Sequence, residues 1–130
     1  MVDLRVYQGG LRVFLNATFA DPVTSTTDRQ IAVGAWYTGP FRSRPNDVIA
    51  FAAGTTHVNN RIVEVAARQN ALGQGPVWQK SAEYVLELFY NLMPVPGFQL
   101  RPNIQYITSP GASSMTRNVW VLGLKTTVSF

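Results

Sequence analysis

Two glutamates, Glu83 and Glu87, are the residues of this chain most suggestive of acid–base chemistry. Paired carboxylates cleave glycosidic bonds when they lie about 5–9.5 Å apart. On a β-strand, a spacing of four residues corresponds to roughly 13 Å, which is too far. On a helix the two side chains would be neighbours, so the exclusion of a glycosidase depends on this segment being a strand.

His57 is the single histidine, and the chain has no cysteine. A zinc site needs several His, Cys or acidic ligands held together, which makes a site built around one histidine improbable. A Ser-His-Asp triad could use only His57, and no G-x-S-x-G motif supports one. We therefore expect a protein that is not an enzyme, with no metal and no cofactor.

The clearest pattern in the chain is the alternation of its last thirteen residues, NVWVLGLKTTVSF. Side chains alternate between the two faces of a strand. One face here carries large apolar residues and the other is mostly polar: Trp120, Leu122, Leu124, Val128 and Phe130 against Gly123, Lys125, Thr127 and Ser129. Such a strand suits the wall of an outer-membrane barrel, where the outer face meets lipid and aromatics lie at the interface.

The same alternation predicts six strands, each ended by a turn signal. We place them at Leu11–Ala20, Gln30–Thr38, Val48 to about Val58, Ala82–Leu92, Phe98–Ile107 and 118–130. Residues 58–80 form the long interruption, where the spacing of Ile62, Val65, Ala66 and Leu72 allows a short helix. The segment 82–92 also fits a helix, because Glu and Leu favour one. Tight connections at 39–47 and 93–97 alternate with longer ones, as in bacterial barrels.

In a barrel, the side chains of the more polar alternating set on each strand would face a wet interior. We expect it to contribute the channel lining: Arg12, Asn16, Trp36, Glu83, Glu87, Asn91, Gln99, Arg101, Asn103, Gln105 and Lys125. Trp36 is a candidate stacking platform, although packing beneath an inward loop is the commoner role of such a residue. Phe130, the terminal aromatic, is expected to act as a membrane-assembly signal.

Turn positions predict a register for the charged residues. A turn centred near Val95 places Glu87 opposite Asn103 and diagonal to Arg101, and a loop centred near 112–113 places Arg101 opposite Lys125. Glu87, Arg101 and Lys125 would then form a charged row that grips vicinal hydroxyls. The alternative is ordinary solvated lining, with Glu87 and Arg101 only neutralising each other.

Composition fits this interpretation. Apolar residues make up 46% of the 130-residue chain and charged residues only 14%. The net charge of +4 is spread without a basic run, which argues against nucleic-acid binding. No apolar run reaches the roughly 20 residues of a membrane-crossing helix. The first residues lack signal-peptide features, so we expect a mature chain or a fragment.

Two stretches resemble the closing strands of the carbohydrate-selective porins of the OprB type. They are SAEYVLELFY at 81–90 and LRPNIQYI at 100–107, the latter followed by Pro110-Gly111. Ala20-Asp21-Pro22, Asp28-Arg29 and the turn from Gly39 to Asp47 are also similar to that family. The resemblance covers about residue 8 to residue 130.

The resemblance implies a transmembrane β-barrel of sixteen antiparallel strands, of which this chain supplies about six. Residues 1–130 are then one carboxy-terminal segment of the barrel, incomplete by itself. The implied role is passive diffusion of mono- or small oligosaccharides through the bacterial outer membrane. The implied partners are outer-membrane lipid, the carbohydrate substrate, and the rest of the barrel or other copies for closure. A homotrimer is a further implied assembly.

Three other readings of the residues stay open, of which one is a non-functional remnant. A soluble β-barrel or sandwich that binds a small ligand would turn the apolar parity inward. A non-pore outer-membrane protein would use the strands only to anchor external loops.

Overall fold

Six β-strands and one helix make up the computed structural model, which describes residues 10–77 and 79–130. In chain order they are β1 (Leu11–Phe19), β2 (Thr27–Thr38), β3 (Val48–Val58), α1 (Asn60–Ala71), β4 (Ala82–Val95), β5 (Phe98–Thr108) and β6 (Val119–Val128). A short 3₁₀ turn, Pro110–Ala112, precedes β6. No helix in this described part combines the length and apolar character needed to cross a membrane.

The strands form one antiparallel sheet in the order β1-β2-β3-β4-β5-β6. All six predicted strands and the short helix are confirmed. The helical alternative for 82–92 is wrong, because β4 pairs with β3 on one side and with β5 on the other. These ladders override the local helix preference of Glu and Leu. The sheet is not closed into a barrel, and β1 and β6 are its edges.

One face of the sheet is apolar across its full width. The register aligns a row that crosses all six strands: Leu15, Val33, Ala53, Leu86, Tyr106 and Trp120. These side chains are not enclosed: Leu86 is 44% exposed, Trp120 64% and the nearby Leu122 79%. The fully buried apolar residues of the described chain are three alanines. A soluble sandwich would cover this apolar face with a second layer, and the described residues provide none.

The β2–β3 and β4–β5 connections lie at one end of the sheet, and the other three connections lie at the opposite end. The β4–β5 turn is Pro96-Gly97, where Gly97 has a φ of 82° that favours glycine. The β2–β3 connection is tied to β4 through Asp47, which is 1% exposed. Its carboxylate accepts hydrogen bonds from the Tyr90 hydroxyl at 2.7 Å and from the Met93 N–H at 2.8 Å.

The β1–β2 and β3–β4 connections brace each other at the opposite end. Asn59 accepts a hydrogen bond from the Arg61 N–H at the start of α1. Its amide donates to the carbonyls of Pro22 and Ser25, at 2.6 and 3.0 Å. His57 Nδ1 lies 2.7 Å from Asp28 Oδ1, which joins the ends of β2 and β3. These contacts fix the two connections to each other.

Candidate functional site: the polar face of the sheet

The face opposite the apolar one, here called the polar face, carries every predicted lining residue. Two neighbouring rows cross its centre. One row contains Arg12, Trp36, Ala50, Phe89, Asn103 and Gly123. The other contains Phe14, Gly34, Ala52, Glu87, Gln105 and Val121. Charged, amide and aromatic groups therefore lie side by side about 4.8 Å apart from strand to strand. The arrangement brings hydrogen-bonding and apolar groups close together on one surface.

Glu87 does not lie opposite Asn103 as predicted. It pairs with Gln105, and Phe89 takes the place opposite Asn103. The β4–β5 turn lies beyond Val95, and the register shifts between Leu92 and Val95. The two residues still meet, because Asn103 Nδ2 donates diagonally to Glu87 Oε1 at 2.8 Å.

The predicted pairing of Arg101 with Lys125 is confirmed. The guanidinium of Arg101 lies over the ring of Phe89, 4.5 Å from its centroid. The ion pairs among the described residues are Arg44–Asp47 and, when His57 is protonated, His57–Asp28. The predicted row of Glu87, Arg101 and Lys125 is therefore wrong: Glu87 bonds to Asn103, while the two cations remain together.

Aromatic side chains contribute more to this face than the sequence analysis anticipated. The rings of Phe14 and Trp36 lie 6.0 Å apart at 42°. Trp36 thus packs beside Phe14, and its part in stacking on a sugar stays a prediction. Phe14 and Phe89 were missed because only polar residues and Trp36 were selected from the polar parity, although the alternation itself places both phenylalanines there.

Two glycines let larger neighbours lie flat on the polar face. A Cβ added to Gly34 would overlap the Phe14 ring, and a Cβ added to Gly123 would overlap the Asn103 amide. Without these glycines, the ring and the amide would be pushed away from the sheet. At these two positions the bulky side chains therefore lie close to the sheet and do not protrude from it.

Glu83 holds a loop. Its Oε2 accepts a hydrogen bond from the Gly111 N–H, and Lys80 Nζ donates to Ser109 Oγ at 2.9 Å. Ala112 is 1% exposed at the centre of this loop. The connection before β6 is thereby bent towards the polar face, and Glu83 is engaged with the loop backbone.

The remaining predicted lining residues differ in exposure. Asn91 is only 6% exposed, and its Oδ1 has no hydrogen-bond partner among the described residues. Asn16 and Gln105 are half-buried. The face is apolar near the β3–β4 and β5–β6 connections, because Val85, Ile107 and Val119 share one row there.

Within the described residues, no group of three or more His, Asp and Glu side chains could hold a metal ion. Phe130 lies just beyond β6, with its side chain fully exposed. Its role in membrane assembly stays a prediction.

An antiparallel meander with a lipid-compatible outer face and a mixed polar and aromatic inner face defines a segment of a transmembrane β-barrel. Comparison with known proteins agrees with that class. The chain belongs to the OprB family of carbohydrate-selective porins, whose family model matches residues 3–130. The predicted family and the location in the bacterial outer membrane are confirmed, and the relatives are channel proteins rather than enzymes.

Curated relatives show the same relationship. Porin B of Pseudomonas aeruginosa is 34% identical over 126 residues, covering 89% of this chain and 27% of that protein. The putative porin QuiX of Acinetobacter baylyi is 33% identical over 130 residues, covering 93% of this chain and 30% of the relative. The chain thus spans less than a third of the length of these relatives.

A solved structure gives the same result for the fold. The high-pH structure of Pseudomonas putida OprB superposes with a TM-score of 0.85 at 37% identity. The match covers 93% of this chain and 30% of that one. The six-stranded sheet therefore corresponds to part of a porin barrel.

Proposed function

We propose that the chain forms part of the wall of an outer-membrane channel for the passive diffusion of carbohydrates, with mono- or small oligosaccharides as the substrate class. The observation that carries this proposal is the contrast between the two faces. An apolar row crosses all six strands on one face. Hydrogen-bonding and aromatic side chains lie on the other, where glycines keep large groups flat.

The polar face suits a solute with many hydroxyl groups. Glu87, Asn103 and Gln105 lie together on β4 and β5 and can exchange water for sugar hydroxyls. Phe14 and Trp36 offer apolar rings on which the C–H groups of a pyranose ring can stack. Each contact is weak, which a channel needs because a solute must leave as readily as it enters.

A complete channel needs further strands. The β1 and β6 edges leave backbone groups unpaired, and no such edge is tolerated within lipid. The rest of a longer barrel or other copies of the chain would close the wall. A homotrimer of closed barrels is a further assembly to test.

Liposome swelling tests the function directly. The protein is extracted in detergent from bacterial outer membranes, together with any strands that complete its barrel, and reconstituted. Swelling should be fast in glucose, slower in a disaccharide and slowest in a larger oligosaccharide. Circular dichroism first verifies that the reconstituted protein keeps its strands. If liposomes with this folded protein swell no faster than protein-free liposomes, the proposal is contradicted. If sugars and other neutral solutes of equal mass enter equally fast, so that only size limits swelling, the protein is a general porin.

A further inference from the structure

Arg101 and Lys125 place two positive charges directly opposite each other on β5 and β6. Like charges in this position repel, and a sheet is more stable without them. Such a pair is therefore a candidate for a binding function.

No acidic side chain of the described residues neutralises this pair. The acids on the polar face are Glu83 and Glu87, and both have other partners. Glu83 accepts a hydrogen bond from the Gly111 N–H, and Glu87 accepts one from Asn103. Glu87 lies opposite Gln105, a position that is roughly 13 Å along the strand from Arg101.

The Arg101 guanidinium is held in place by the Phe89 ring, 4.5 Å away. A guanidinium carbon over an aromatic ring is a cation–π contact, and the N–H groups at the edge of the planar guanidinium can still donate to a ligand. That planar fork matches the two oxygens of a carboxylate or a phosphate, while Lys125 adds a more mobile point charge. Arg101 is half-buried and Lys125 exposed, so a solute at the sheet surface can reach both.

We propose that Arg101 and Lys125 form an oxyanion subsite that favours sugars carrying a carboxylate or phosphate group over neutral sugars. This inference rests on the proposed channel function. The oxyanion relieves the repulsion between the two cations, and the hydroxyl groups of the same sugar reach the amide of Asn103 in the adjoining row. Binding is weak enough for transit because Lys125 remains open to solvent.

Calorimetric titration of the folded protein in detergent at low ionic strength tests the subsite. The probes are gluconate, glucose 6-phosphate and glucose, which separate carboxylate, phosphate and neutral sugar. We expect both anions to bind at least about tenfold more tightly than glucose. Arg101→Gln and Lys125→Gln should each remove most of that difference. The matched control is Arg42→Gln, an exposed arginine in the β2–β3 connection, which should leave it unchanged.

Wild-type protein that binds both gluconate and glucose 6-phosphate no more tightly than glucose would overturn the subsite, as would an anion preference that both variants retain. A preference for phosphate alone would narrow the ligand class to phosphorylated sugars. Reversal potentials in a salt gradient keep the two proposals apart. A conducting channel whose anion preference is the same in wild type and both variants overturns the subsite only. Specific gluconate binding by a protein that conducts nothing overturns the channel and supports the subsite.

Discussion

Asn103 reaches Glu87 diagonally across β4 and β5, with 2.8 Å between its Nδ2 and the carboxylate Oε1. The side chain follows this path by lying over Gly123, its partner on β6. Three neighbouring strands thus cooperate in one contact: β6 gives the space, β5 the donor and β4 the acceptor. A hydrogen bond to a carboxylate contributes about 1.5–3 kcal/mol, more than a neutral one does.

Gly123→Ala is therefore expected to displace Asn103 and break its bond to Glu87. The free energy of unfolding should fall by about 1–2 kcal/mol, measured by urea denaturation in detergent micelles. Gly54→Ala is the matched control, because its added Cβ would have only ordinary contacts, at 3.7 Å and beyond. Equal effects of the two substitutions would show that the space over Gly123 is unimportant.

The strands and their faces followed from alternation because a strand's side-chain period of two is fixed by backbone geometry. The opposition of Arg101 and Lys125 was also predictable, since the loop between β5 and β6 keeps the register that its length suggests. For Glu87 the register could not be predicted. The irregularity between Leu92 and Val95 displaces the turn, and nothing in MPVPG marks where an extra residue will be accommodated.

The contacts of individual polar side chains were less predictable still. Glu83 belonged to the expected lining, yet it binds the backbone of a loop far along the chain. Asn91 has the parity of a lining residue and is nevertheless buried. Alternation assigns a face, but long-range packing decides whether a side chain on that face is free to meet a solute.

The hydrogen bonds of Asp47 indicate how the stability of the β2–β3 connection depends on pH. The hydrogen bond from the Tyr90 hydroxyl, together with that from the Met93 N–H, lowers the pKa of Asp47 below its usual 3.8. A group whose pKa is lowered by folding stabilises the fold above its unfolded pKa. This contribution is lost as the pH falls through the lower, folded pKa.

Asp47→Asn should consequently reduce the free energy of unfolding at pH 7 and flatten its decline below pH 4, both followed by tryptophan fluorescence. Tyr90→Phe removes the main donor and should reproduce part of the effect. Tyr84→Phe on the same strand is the control, since Tyr84 is exposed and lies opposite Thr55 and Thr108. An unchanged acid profile in Asp47→Asn would refute the assignment.

Glu83→Ala is expected to release the loop before β6. Loss of the carboxylate leaves the Gly111 N–H without its acceptor, so the loop should open more often. Trypsin cleavage after Arg117 should accelerate by about threefold to tenfold, a size that corresponds to the loss of one hydrogen bond. Glu64→Ala, on the exposed surface of α1, should leave the rate unchanged. Equal cleavage of both variants would mean that other contacts hold the loop.

Leu86 and Val85 are adjacent on β4 and point to opposite faces, which allows the membrane orientation to be tested. Leu86 belongs to the apolar row, whereas Val85 lies on the polar face between Gly54 and Ile107. An arginine facing lipid at mid-membrane depth costs about 2–4 kcal/mol, and one facing a water-filled lumen costs far less. Leu86→Arg should therefore lower the free energy of unfolding in lipid bilayers by that amount, while Val85→Arg stays close to wild type. Greater destabilisation by Val85→Arg would show that the lipid-facing and lumen-facing sides are the opposite of those assigned here, which would contradict the channel proposal.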